Sequence, residues 1–191
     1  METSGRIRDA LLARGIDAVS CDVLPTEVPG PHIRADVRDV LRHRWQKMIA
    51  HPTCTYLCNS GVRWLHSDPS RWPFMRAAAT WFRYLDTYEA IACRAVENPI
   101  MHCYAAEIIG RRADQFVQPW WFGSPAFKAT GLHLTNLPKL VKAESLIPPR
   151  TGTAAHAAWS VVHRASPGPD RWRLRSATDP GLARAIAEQW G

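Results

Sequence analysis

No apolar run in this chain of 191 residues approaches the ~18 to 20 residues that a membrane-spanning helix needs, because charged residues interrupt every hydrophobic stretch. No secretory leader precedes the cysteines. Cys21, Cys54, Cys58, Cys93 and Cys103 form an odd set, which argues against a disulfide framework and for reduced thiols in a cytoplasmic setting. Structural zinc is disfavoured by spacing. Its ligands come in two pairs, each roughly two to four residues apart, and among His51, Cys54, Cys58, Cys93, His102 and Cys103 only Cys54 and Cys58 approximate one such pair. No internal repeat is evident. A content of 46% hydrophobic and 21% charged residues excludes a disordered chain and predicts one soluble globular domain over 1–191.

What the chain has in excess is positive charge and tryptophan. The formal charge is +7, the isoelectric point lies near 9.5, and nine Trp accompany many Arg. That mixture suits a surface meeting phosphates and bases, although many basic proteins bind no nucleic acid. Along the chain, GRIRDALLAR (5–14) places Ile7, Ala10 and Leu11 on one helical face with arginines elsewhere, and Gly15 stops the helix. IDAVSC (16–21) reads as a strand ending at Asp22, 37–43 as a short helix, and the centre of WQKMIAH (45–51) as a buried strand. A helix over 74–89, a strand over 93–96 and a helix over 101–109 continue the alternation. Strands are predicted at 115–117 and 131–134, a flexible loop at about 142–172, and a closing helix over 180–190 with Pro180 in its first turn. Alternation of this kind predicts an α/β fold with a mostly parallel sheet covered by helices on both faces and ligands beyond the carboxyl ends of the strands.

Two segments carry chemistry. HPTCTYLCNSGVRWLH (51–66) places Cys54 just after a predicted strand, among polar residues, a Gly and an Arg, where backbone donors can lower a thiol pKa and make it nucleophilic. Taken alone, such a cysteine is more often an inert buried thiol. CRAVENPIMHCY (93–104) delivers Glu97 and Asn98 after another strand of the same sheet. Alone, Glu97 reads equally well as a capping carboxylate. Together, a Cys and a Glu are the pair needed to methylate cytosine C5: a thiolate adds at C6 while a carboxyl group hydrogen-bonds N3 and N4.

The order of the Cys loop and the ENP segment resembles the nucleophile and ENV motifs of DNA cytosine-C5 methyltransferases. ETSGRIRDALLARG, SCDVLP, HPTCTYLCNSGVRWL, ENPIMHCY, QPWWFG, KATGLHLTNLP and RSATDPGLARAIAEQWG resemble, almost from end to end, a family of small phage and prophage DNA methyltransferases. The resemblance fails mainly across 142–170. It implies a Rossmann-like S-adenosylmethionine-dependent methyltransferase sheet, S-adenosylmethionine as cofactor, DNA as partner, and the host cytoplasm as location. It also implies Cys54, Glu97 and Asn98 as catalytic residues. The turn Glu2, Thr3, Ser4, Gly5 would pass the methionyl part of the cofactor, Asp22 would meet the ribose hydroxyls, and Asp36 would lie near the adenine. Arg63, Arg71, Arg111, Arg112 and Lys128 are candidate phosphate contacts. Trp120, Trp121 and Phe122 either shape a base pocket or plug the core, and core packing is the commoner use of such rings.

The departures from that family are specific. The sequence opens on the ETSG turn, so a first strand expected ahead of it is absent, through either a late gene start or an incomplete cofactor edge. Thr53 replaces a Pro before the Cys, and Gln46 or Lys47 stands where an acidic residue is common. No QxRxR element and no long target-recognition domain are visible. Two further readings follow: a catalytically degenerate nucleic-acid-binding protein on this scaffold, and C5 modification of another pyrimidine substrate.

Overall fold

A computed structural model describes residues 2–169 and 171–191. In chain order the elements are α1 (Arg6–Leu12), β1 (Ser20–Asp22), β2 (His32–Arg34), α2 (Val37–Val40), β3 (Lys47–Ala50), α3 (Arg63–Ser67), α4 (Trp72–Asp86), β4 (Cys93–Pro99), α5 (Cys103–Ile109), β5 (Gln115–Val117), β6 (Thr130–Thr135), α6 (Ala154–Trp159), α7 (Val161–Arg164), α8 (Arg171–Ser176) and α9 (Pro180–Trp190). Where the sequence suggests one domain, the contacts gather into two compact units. One comprises Met1–Val40, Val117–Lys128 and Leu140–Gly191, and the other Leu41–Phe116 and Ala129–Lys139.

In the first unit β1 and β2 form a parallel pair, with Cys21 opposite Ile33. The amphipathic reading of α1 holds for Ile7 but not for every arginine. Arg8 is buried, 2% exposed, and donates to Asp9 Oδ1 (2.7 Å), Ser20 Oγ (3.2 Å), Thr26 Oγ1 (3.3 Å) and the carbonyls of Val28 (3.4 Å) and Pro29 (3.1 Å). Two glycines make room for it. A Cβ on Gly30 would stand 2.6 Å from Arg8 Cζ, and one on Gly5 (φ +68) would collide with Nη2. The closing helix α9 starts as Pro180 predicts, with Asp179 Oδ1 accepting from the amides of Gly181 (2.9 Å) and Leu182 (3.2 Å). It buries Leu182, Ala183, Ile186, Ala187 and Trp190, packing chiefly against α1 and the turn Pro119–Phe122. Phe122 is buried in that turn, as core packing predicts, while Lys142 Nζ lies 4.4 Å from the Trp121 ring centroid.

The stretch predicted as a flexible loop contains α6 and α7. Thr153 Oγ1 accepts from His156 N at 3.1 Å and caps an alanine-rich turn, and the Phe127 ring packs 5.4 Å from Trp159 and 4.9 Å from His156. The flanking Pro and Gly residues hid this short helix.

The second unit holds a four-stranded sheet in the order β3-β4-β6-β5. β3 and β4 are parallel, but β4 and β6 are antiparallel, with Glu97 opposite Leu132 and Pro99 opposite Thr130. The architecture is therefore mixed α/β, with an antiparallel pair that the simple strand–helix alternation did not predict. β4 also runs through Glu97, Asn98 and Pro99, which the sequence suggested were a loop, because β6 supplies their ladder partners. The long helix α4 turns Met75, Ala79, Phe82 and Leu85 toward β4 and β6 at helical spacing, and α5 packs beside it. Among the described residues no helix is long and apolar enough to cross a membrane.

At the end of α4 the Asp86 carboxylate is 4% exposed and held in a fork by Arg111, with Nε to Oδ2 at 2.7 Å and Nη2 to Oδ1 at 2.6 Å. His133 Nδ1 lies 3.8 Å away, beyond hydrogen-bond reach. Burial pushes the Asp86 carboxyl up, but the Arg111 guanidinium, and behind it His133, more than offset this and hold it at about 2. A carboxyl whose folded pKa is lowered stabilises the fold above its unfolded pKa, and that stability fades as pH falls toward the folded value. Between about pH 4 and pH 2 the protein is expected to lose about 2 kcal/mol more than Asp86→Asn does. Urea midpoints at pH 6 and at pH 2.5 check this, and parallel losses in the two proteins would contradict it.

Candidate active site

Ala50 is opposite Val96 in the parallel pair, so the residues that follow come out level, His51 just past the end of β3 and Glu97 still within β4. His51 Nδ1 stands 3.3 Å from Glu97 Oε2, with both side chains mostly buried. The other ring nitrogen, His51 Nε2, is buried without a hydrogen-bond partner. Cys54 follows three residues later, and at ~3.6 Å of extended chain per residue its Cα stays within about 11 Å of that of His51. It is half-buried and outside any disulfide. Its carbonyl closes a tight turn, accepting from the amides of Leu57 (2.9 Å) and Cys58 (3.1 Å) and from the Cys58 thiol (3.0 Å).

The exit of this turn is fastened to the chain beyond β4. Asn59 N donates to Ile100 O at 2.7 Å, His102 N donates to Leu57 O at 3.1 Å, and Cys58 pairs with Met101 in an isolated antiparallel bridge. The His102 ring completes the tie. Its Nε2 donates to Tyr56 O at 2.8 Å while its Nδ1 accepts from Ala105 N at 3.1 Å, capping α5, so one tautomer meets both demands. The turn that carries Cys54 is thus tied to the chain just beyond β4, the strand that carries Glu97. Asn98 does not share that face, because successive strand residues point to opposite sides. It is 1% exposed, its Nδ2 donates to Pro99 O at 2.6 Å, and its Oδ1 is buried without a partner.

His51 is the residue that the sequence reading left out of the site. Its signal was position: it is the first residue past a strand whose parallel neighbour delivers an acid at the same level.

The residues assigned to the cofactor gather within the first unit. Glu2 N donates to Cys21 O at 3.1 Å, Glu27 N to Thr3 O at 2.8 Å and Ala35 N to Asp22 O at 3.1 Å, lacing the ETSG turn and the segment after β2 to the end of β1. Each acid also has a local partner. Glu2 Oε1 accepts from Ser4 Oγ (2.8 Å) and Ile7 N (3.2 Å) at the start of α1, and Asp22 Oδ1 accepts from Leu24 N at 3.0 Å. Asp36 takes the amide of Arg38 at 2.9 Å and its guanidinium, which holds the carboxyl down at about 2. The space beside Gly5 is filled by Arg8.

The basic residues divide in the same way. Arg111 is spent on Asp86 and on Asp114 (2.9 Å), and Lys128 Nζ donates to Ala177 O at 2.8 Å, so both serve the fold. Arg112 is exposed. Arg63 and Arg71 lie over aromatic rings, 4.6 Å from the Trp64 centroid and 4.9 Å from that of Tyr56. Among the described residues no three His, Cys, Asp or Glu side chains gather as a metal site would require. Comparison of the chain with protein-family models, with curated proteins and with solved structures found no match.

Proposed function

We propose that this protein is a DNA cytosine-C5 methyltransferase of the phage and prophage kind that its motifs resemble, with Cys54 as nucleophile and S-adenosylmethionine as methyl donor. The observation that carries the reading is the 3.3 Å approach of His51, at the carboxyl end of β3, to Glu97 of the neighbouring strand β4; the Cys54 turn follows His51 by three residues.

The chemistry needs a thiolate and a carboxyl group acting on one base, and a cytosine taken out of its duplex stack is the substrate such a pair serves. The Cys54 thiolate adds to C6, and the ring electrons move toward N3, where Glu97 donates a hydrogen bond or proton. His51 holds that carboxyl in orientation through Nδ1. When bound, S-adenosylmethionine would supply an electrophilic methyl group to C5 and would itself be left as a neutral thioether. Loss of the C5 proton to a base, return to Glu97 of any proton given to N3, and departure of the Cys54 thiolate from C6 restore the aromatic ring and the enzyme.

The cofactor-side residues fit in part. Asp22 ends a parallel strand, where acidic residues of nucleotide-binding sheets meet ribose hydroxyls, and Glu2 and Ser4 are laced to that strand end. Gly5 does not fit the role of opening space for a ligand, because the Arg8 guanidinium occupies that space. The same finding, with Glu2 and Asp36 both engaged locally, favours a second reading: a nucleic-acid-binding protein that has lost the cofactor. Calorimetric titration with S-adenosylmethionine, paired with mass spectrometry of DNA from expressing cells, separates the two. Binding together with 5-methylcytosine is the expected result. A folded sample that binds no cofactor and leaves DNA unmodified supports the second reading, and a different C5-modified pyrimidine changes the substrate.

A further inference from the structure

From the Cys54 turn the chain passes through α3 to the start of α4, and this stretch carries aromatic rings and guanidinium groups in close association. Trp64 is 48% exposed and Phe74 57% exposed. Arg63 lies over Trp64, Arg71 lies over Tyr56, and Tyr56 stacks on Phe74 with centroids 5.7 Å apart and planes 21° from parallel. A shallow, open groove of about 470 Å³ is lined by Trp72, Arg76, Arg83, Tyr104 and Glu107. Across residues 59–84 the sequence holds Arg63, Arg71, Arg76 and Arg83 against one carboxylate, Asp68, which is occupied in accepting from Ser70 at 2.6 Å.

We infer that this face binds single-stranded nucleic acid, with bases stacking on Trp64 and Phe74 and phosphates held by the arginines. The inference deepens the DNA-substrate reading but does not need methyl transfer. Exposed rings offer flat platforms that only an unstacked base can cover, whereas a duplex presents its backbone and base edges. The excess of positive charge matches a phosphate chain. A lipid surface is a poorer match because α3 has five residues, too few for an amphipathic helix to lie in an interface, and the apolar face of α4 is already turned onto the sheet.

The test is fluorescence anisotropy of a labelled oligothymidylate and of a duplex of equal length, each titrated with the intact protein over a range of salt. The expected result is tighter binding of the single strand. The double variant Trp64→Ala, Phe74→Ala is expected to weaken single-strand binding by about tenfold or more, at unchanged net charge and unchanged circular dichroism. Trp64→Phe with Phe74→Tyr, which keeps the rings, should restore it. Arg63→Gln with Arg76→Gln should reduce the slope of log affinity against log salt by about 1.4. Unchanged single-strand affinity in the folded alanine double variant overturns the inference, as does equal preference for duplex or the absence of oligonucleotide binding at low salt. Titration of S-adenosylmethionine on the same samples keeps the two readings apart. Cofactor binding without strand binding sinks this inference alone, and strand binding without cofactor binding sinks methyl transfer alone.

Discussion

Cys54→Ala is expected to lower methyl transfer by about four orders of magnitude or more, while S-adenosylmethionine binds as it does to the native protein. The size of the effect follows from the chemistry. C5 of cytosine is too weak a nucleophile to take a methyl group unaided, and the covalent bond from sulfur to C6 is what turns the ring into an enamine. No neighbouring group replaces that bond: Cys58 is buried and turned onto the Cys54 carbonyl, and His51 faces Glu97. Transfer of labelled methyl groups to DNA measures the loss, and Cys103→Ala, which alters an exposed thiol outside the site, is the control. Substantial activity in Cys54→Ala, with the cofactor bound, would remove this residue from the mechanism.

The second large effect is on stability. Arg8→Ala is expected to cost about 3 kcal/mol, because it empties a buried volume, removes the donor to Pro29 O and takes one of the partners of Ser20 Oγ and of Val28 O. Asp9 adds little to that figure, since its side chain is 48% exposed and can return to water. For a chain of this size the melting temperature should fall by roughly 6 to 12 °C. Gly5→Ala should act in the same direction, because its Cβ meets the guanidinium and its φ of +68 disfavours any side chain. Thermal melts by circular dichroism check both. A melting temperature within about 2 °C of native for Arg8→Ala would show that the buried arginine does not organise this unit.

How much of this was legible depends on how local the cause is. β5 and α9 were read with their observed bounds, the helix because Pro180 in its first turn is a start signal that needs no tertiary information. α4 was read to within a few residues at each end, since its apolar spacing persists over several turns. β2 was missed, because His32–Arg34 is too short and too polar to stand out from the surrounding Pro and Gly. The extension of β4 through ENP was missed for a different reason. Pro99 looks like a stop, and only pairing with β6, which lies far along the chain, keeps the strand extended.

The site shows the same division. Cys54 was visible as a residue type placed after a strand and Glu97 as an acid on what read as a loop but is strand, whereas the pairing of His51 with Glu97 required the register between β3 and β4. The separation of Asn98 from Glu97 followed from β4 being a strand at that point. Arg8 read as a solvent-facing arginine on a helix. Its burial depends on Gly5 and Gly30, residues of separate segments whose missing side chains leave a space that sequence spacing does not show.

The His102 tie has a consequence for how a substrate is engaged. A segment pinned through Tyr56, Leu57 and Asn59 to the far side of a sheet strand has little freedom to swing over an incoming ligand. On the proposed reading, displacement would be left to the nucleotide, which would travel to a stationary sulfur, and the protein would receive the base without closing around it.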